Sequence, residues 1–215
     1  MKKFDFKKAN KKLYSGKIGR FDIVDVPALP YLMIDGVGSP NISGVYGQAI
    51  SALYALSYGL KFHSKIELGK DYVVAPLEGL WWADDMSVFA SGDKDKWQWT
   101  MMMRQPVWAT APLLADIRAV STAKNAKKKT PPTDAQTLAK VRLEVLTEGT
   151  CVQTLYVGPY DKEGETLRAM HSEFIPQNNM TMTGKHHEIY LNDPRKISPE
   201  KLKTILRQPV EVAEG

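Results

Sequence analysis

Five consecutive residues, His186-His187-Glu188-Ile189-Tyr190, include four side chains that hold or move protons. Strand alternation sends His186, Glu188 and Tyr190 to one face and His187, Ile189 and Leu191 to the other. The second face reads as core. The first is a polar triplet in a strand of otherwise buried character, and polar groups withdrawn from water need partners or a cavity. This face, with His186, Glu188 and Tyr190, is therefore the leading site candidate. A structural role competes with this one: Glu188 could accept hydrogen bonds from its neighbours or lie on the wet face of an antiparallel sheet.

Four tryptophans fall in two nearby strand-like segments, Asp71 to Trp82 and Trp97 to Gln105. Alternation groups Glu78, Leu80 and Trp82 on one face, and Trp97, Trp99, Met101 and Met103 on one face of the next segment. Aromatic walls of this kind would bind planar or cationic ligands, at about 0.5–2 kcal/mol per contact, and methionines would adapt the walls. Glu78, Trp82, Trp97 and Trp99 are the ligand-binding candidates. The alternative fate is a tryptophan-rich core; Trp81 and Trp82 point oppositely and cannot both line one pocket.

Other constellations are incomplete. No Gly-x-Ser-x-Gly elbow, phosphate loop or dinucleotide fingerprint stands in the right context, and Gly36-x-Gly38 lacks its third glycine. Cys151, the single cysteine, has no activating helix N-terminus or histidine partner and reads as a packed residue. It and the four histidines, His63, His171, His186 and His187, lack the spacing of a zinc site. Neither metal nor cofactor is expected.

These residues need a scaffold. The segment Phe21 to Val37 alternates like a strand and ends in Gly36, Gly38 and Pro40. Ser43 to Leu60 carries small and apolar residues at three- and four-residue intervals behind Asn41 or Ser43 as caps, which predicts a helix. The two tryptophan-bearing strands follow, joined by the polar loop Ala83 to Lys96. Ala109 to Lys124 reads as a helix, and Pro131-Pro132-Thr133-Asp134 starts a short one. The order then repeats, with strand Cys151 to Val157, helix Glu163 to Phe174, strand Lys185 to Leu191 and Ser198 to Val210 opening on a helical turn. Arg104-Gln105-Pro106-Val107 recurs as Arg207-Gln208-Pro209-Val210, which suggests a duplication. In register, Leu77-Glu78-Gly79-Leu80 matches His187-Glu188-Ile189-Tyr190, so each half carries one glutamate in its second strand. The divisions expected are a lysine-rich arm over 1–20, a first module over 21–107, a helical connector over 108–140 and a second module over 141–215.

With 215 residues, 43% hydrophobic and 25% charged, and no apolar run of membrane length, the chain reads as a soluble globular protein of one large domain or two small modules. The N-terminus lacks the apolar stretch of a secretory signal, which predicts a cytoplasmic location. Of the net charge of +5, much comes from Lys2 to Lys12 and from Lys124, Lys127, Lys128 and Lys129. Neither cluster has interleaved aromatics, so both read as solvated surface and no nucleic-acid or membrane partner is expected. No exposed heptad argues for an obligate oligomer, and a monomer or weak dimer is expected.

The stretches Gly184 to Val210 (GKHHEIYLNDPRKISPEKLKTILRQPV), Val152 to Gly164 (VQTLYVGPYDKEG), Lys96 to Pro106 (KWQWTMMMRQP) and Tyr31 to Asn41 (YLMIDGVGSPN) resemble the GyrI-like small-molecule-binding family, and more narrowly its stand-alone bacterial members. The resemblance implies an α+β fold of tandem strand-helix-strand-strand modules with pseudo-twofold symmetry, antiparallel sheets flanking a central ligand cleft and helices behind. It also implies an acidic residue in the cleft, at Glu188. Regulators of the superfamily carry a helix-turn-helix ahead of this module, and none is legible here.

Some stand-alone members are described as hydrolases that open the cyclopropane ring of duocarmycin- and yatakemycin-type DNA-alkylating agents within an aromatic cage, and so detoxify them. The resemblance thus implies water addition with Glu188 as base, Trp82, Trp97 and Trp99 holding a planar ligand, and Tyr156 or Tyr190 donating to the phenolate that forms. Two rival readings stand beside it. One is a non-catalytic binder that sequesters planar aromatic or cationic small molecules, with Glu188 as counter-charge. The other is an interaction module that inhibits a DNA enzyme.

Overall fold

Pro27 cannot donate to a sheet ladder, and the long alternating run 21–37 accordingly forms two strands, β1 (Asp22–Val26) and β2 (Leu29–Val37). They belong to different parts of the molecule. In the computed structural model, which describes residues 3–40, 44–84 and 94–212, the chain divides into two units. Unit 1 comprises Met1–Phe6, Leu29–Ala75 and Trp81–Leu146; unit 2 comprises Lys7–Ala28, Pro76–Leu80 and Thr147–Gly215. The expected caps Asn41 and Ser43, and loop residues 85–93, lie outside the described residues. Among the described residues no helix is long and apolar enough to cross a membrane.

In unit 1, β2 pairs antiparallel with β4 (Gln98–Arg104) and with β5 (Arg142–Leu146). β5 has no counterpart among the expected strands; it is a short edge strand with only five residues to show its alternation. Leu32, Ile34 and Gly36 of β2 face the same side as Met103, Met101 and Trp99 of β4. That side packs under helix α1 (Gly44–Ile66), whose Ala49, Ala52, Leu53, Leu56 and Leu60 form a buried stripe. α1 runs past the expected end at Leu60. Its last turn is held by Ser64, which donates to the Lys70 carbonyl and accepts from Trp108 Nε1.

Helix α2 (Ala111–Ala126) crosses α1 at Gly59, and a Cβ there would lie 2.4 Å from Ile117 Cγ2. Thr110 caps α2, and Asp134 caps the short α3 (Ala135–Lys140). The expected strand over 71–82 is confined to β3 (Leu77–Trp82). Pro76 lacks an N–H, and upstream of it Tyr72 makes only an isolated parallel bridge to Phe4. By chain division Leu77–Leu80 belong to unit 2, Trp81 and Trp82 to unit 1.

Unit 2 orders its strands β1-β6-β9-β8, with β7 also on β9. They are β6 (Gly149–Val157), β7 (Met180–Met182), β8 (His186–Tyr190) and β9 (Lys203–Val212), all paired antiparallel. The helix over this sheet starts as α4 (Gly164–Arg168), widens into a π-helical turn over Ala169–Phe174 and closes with Ile175–Gln177. Its Met170 and Ile175 pack with Val152, Leu206, Met180 and Val210. From Lys7 onward the residues expected as a solvated arm are part of this unit: Leu13 and Tyr14 are buried, and the carbonyls of Lys12 and Ser15 accept from Gln153 Nε2. Lysine composition hid the apolar residues that anchor this segment.

The architecture is therefore α+β, with nine strands among the described residues, in which every pairing of defined register is antiparallel. The tetrapeptide repeat has a structural counterpart. Arg104 stands opposite Tyr31 in unit 1, Arg207 stands opposite Gln153 in unit 2, and the glutamine after each arginine is buried.

Candidate functional site

β8 offers two faces of different chemistry. His187 is in register with Arg207 of β9, whereas Glu188 and Tyr190 are in register with Leu206 and Thr204. Leu206 packs with Met170 and Ile175, so Glu188 and Tyr190 share the face that α4 covers, and His187 lies on the other.

The His187 face is polar but closed. His187 Nε2 lies 3.0 Å from Glu78 Oε2, and Nδ1 lies 2.9 Å from Glu148 Oε1. Arg207 donates through Nη1 to Glu148 and through Nε and Nη2 to Gln153 Oε1, with a further bond from Nη2 to the Leu13 carbonyl. Tyr14 donates to Glu78 Oε1 at 3.3 Å. Burial alone would lower the His187 pKa, but the Glu148 and Glu78 carboxylates outweigh it and raise it. Burial likewise opposes ionisation of Glu148, yet His187 and Arg207 hold its carboxyl down at about 2. Two carboxylates meet two cations here with their hydrogen bonds made, which is the chemistry of a scaffold.

Glu78, expected to bind ligand, is fully buried in this network. It contacts the His187 face of β8 and is not brought together with Glu188. The signal missed was His187, since periodicity assigned it to a buried face correctly and said nothing of the charges it would meet there.

The other face gathers most of the expected residues of the second module. Glu188 is buried, with a side chain 11% exposed. Burial raises its pKa, while hydrogen bonds with Tyr190 and Glu163 partly offset the rise. Two carboxyl groups in hydrogen-bond contact share a proton, because ionising both would set like charges together. Glu163 is the buried residue at the start of α4. Tyr160 completes the group: its ring meets Tyr190 edge to face at 5.5 Å, and burial together with Glu188 and Glu163 pushes its hydroxyl up to about 12.

Tyr156 lies on the same face, opposite Thr204, but its hydroxyl donates to the Pro159 carbonyl at 2.8 Å, so its proton is already committed. His186 is buried with Nε2 3.7 Å from Glu188 Oε1, and its ring packs against His171 of the π-helical turn. Glu163, Tyr160 and His171 were not among the expected residues. They reach Glu188 through the packing of α4 on the sheet, and only Tyr160 and Glu163 stood in a stretch that the sequence had already set apart.

The tryptophans belong to unit 1. Trp99 is fully buried, with its ring over Gly36, where a Cβ would lie 2.1 Å away, and its Nε1 donates to the Gly38 carbonyl. It packs edge to face with Tyr46 at 5.2 Å, which makes it a core residue of the α1 side. Trp81 also meets Tyr46 and lies 5.8 Å from Trp97. Trp82 and Trp97 are half-buried, and Trp82 Nε1 donates to Gln98. Cys151 is buried, and burial pushes its thiol up to about 12, so it offers no nucleophile.

A model of the GyrI-like small molecule binding domain matches residues 20–211. No curated protein sequence matches the chain. Among solved structures, an uncharacterized conserved protein from Listeria innocua is 39% identical, with a TM-score of 0.86 over 97% of this chain and 100% of its own. Two structures described as hydrolases from Listeria innocua are each 38% identical. Their TM-scores are 0.81 over 97% and 0.84 over 98% of this chain, and both are covered over 100% of their own length.

Proposed function

We propose, for a chain that belongs to the GyrI-like small-molecule-binding family, that it is a hydrolase which adds water to a strained, electrophilic small molecule, with Glu188 as the base. The observation that carries this reading is the Glu188 carboxyl itself. It is nearly excluded from water, its pKa is raised by burial, and it is hydrogen-bonded to Tyr190 and Glu163. A carboxylate tuned upward is suited to take a proton near neutral pH. The hydrolase descriptions of the two Listeria structures support the reaction class.

The substrate class proposed is the cyclopropane fused to a dienone found in duocarmycin- and yatakemycin-type alkylating agents, on the resemblance of the sequence motifs. Water oxygen forms a bond to the ring CH2, the strained C–C bond breaks, and its electron pair enters the dienone to make an aromatic phenolate. The water proton passes to Glu188, and the Glu163–Glu188 pair returns one proton to the phenolate, so the product has gained one H2O. Tyr190 orients Glu188 through its hydrogen bond. Of the two tyrosines expected as phenolate donors, Tyr156 is tied to Pro159 and Tyr190 to Glu188, which leaves the carboxyl pair as the better acid.

The test is incubation of the purified protein with a cyclopropanoid alkylator, followed by mass spectrometry. The expected result is multiple turnovers to a product heavier by one water, lost in Glu188→Gln. Stoichiometric binding without water addition, or unchanged turnover in Glu188→Gln, would overturn the reading.

A further inference from the structure

On the α4 side of unit 2, Nδ1 and Nε2 of His186, Nε2 of His171 and Oγ1 of Thr204 are buried polar atoms with no hydrogen-bond partner among the described residues. His186 is 8% exposed. The Arg207 backbone favours its protonated ring slightly, yet neither ring nitrogen makes an aligned hydrogen bond. A ring in this state is a poor structural residue, because an apolar side chain would fill the space without losing two hydrogen bonds to water. Native proteins seldom leave such atoms unmatched and commonly match them with ordered water.

His186 Nε2 is 3.7 Å from Glu188 Oε1, too far for a direct bond. The His171 ring meets the His186 ring at 5.7 Å and 78°. His171 comes from the π-helical turn, an irregularity that concentrates at functional sites. We infer that His186 is a positioning residue that holds a buried water against Glu188, and that His171 continues the hydrogen-bonded path under α4. Burial drives the His186 ring down to about 3 and lowers that of His171 as well. Both rings are therefore neutral near pH 7, each with one N–H and one lone pair, and can take a proton on one nitrogen while releasing one from the other. The use of this water in catalysis rests on the hydrolase reading; its place beside Glu188 does not.

Two measurements separate the two ideas. In full-length protein labelled with 15N-histidine, Glu188→Gln should shift the His186 ring nitrogens while leaving those of His63 in unit 1 in place. Unmoved His186 signals would overturn the inference. With the cyclopropanoid probe, His186→Phe should keep the wild-type melting temperature or exceed it, and lose about 100-fold or more in kcat with little change in KM. His186→Gln, which keeps a donor and an acceptor, should recover part of the rate. A His186→Phe variant that melts well below wild type, or retains kcat within threefold, would show a structural ring and overturn the inference. If the wild-type protein consumes no probe, the hydrolase reading fails, and the histidine spectra and melting temperatures decide the water site alone.

Discussion

Replacing Glu148 by Gln tests the claim that the His187 face is an electrostatic scaffold. The side chain is 3% exposed and lies against His187 Nδ1 at 2.9 Å and Arg207 Nη1 at 3.1 Å. Its carboxyl is held at about 2, against an ordinary value of 4.5. At about 1.4 kcal/mol per pKa unit, that difference corresponds to about 3 kcal/mol of stability, in line with the ~3–5 kcal/mol lost when one partner of a buried pair is removed. For a protein of this size, a loss of that order lowers Tm by about 6–12 °C.

The sign in pH follows from the direction of each shift. The Glu148 contribution is complete above about pH 4.5 and disappears as pH falls toward 2. The His187 contribution is complete below about 6.5 and disappears as pH rises through its raised folded value. Thermal melts should therefore show wild-type stability highest between about pH 4.5 and 6.5, with Glu148→Gln well below it there and lacking the part of the acid decline that Glu148 supplies. A variant melting within about 2 °C of wild type near pH 6 would refute the reasoning, as would a wild-type Tm no lower near pH 3 than near pH 5.

Three further outcomes follow from packing. Gly36→Ala sets a methyl 2.1 Å from the Trp99 ring and should cost about 1–3 kcal/mol, read as a lower Tm with altered tryptophan fluorescence. Gly59→Ala improves helix propensity by about 1 kcal/mol but drives into the rigid, β-branched Ile117. The melt should fall in the single variant and recover when Ile117→Ala is added. Cys151, with its thiol pushed up to about 12, should resist a disulfide reagent at pH 8 in native protein and react promptly once denatured.

Alternation alone was enough to set His186, Glu188 and Tyr190 on one face of a strand, and the register of β8 on β9 bears that out. It was also enough for α1 and α2, whose apolar stripes are long. It was not enough for β5, whose five residues carry too short a pattern, nor for the separation of β1 from β2, which depends on which strand each one meets. Trp99 shows a different gap: alternation grouped it with Met101 and Met103 as a possible ligand wall, yet that same face is the one α1 covers. Glu163 and His171 were not legible as site residues, because the start of α4 and the π-helical turn reach Glu188 only through tertiary packing.

The contrast between the two faces of β8 is the physical basis for choosing the candidate site. Next to each other in sequence, His187 and Glu188 are both buried carriers of charge, so burial and pKa shift do not distinguish them. Their partners do. Around His187 the two carboxylates, the imidazolium and the guanidinium cancel, and the polar atoms that face one another are bonded. Such a set gains nothing by reacting, and each member resists a change of protonation because its partners would be left charged and buried. Around Glu188 the setting differs: two carboxyls in hydrogen-bond contact share a proton, and the imidazole beside Glu188, that of His186, is held neutral by burial. A proton added to or removed from this face therefore costs less than one moved on the other, and that difference is what acid–base chemistry requires.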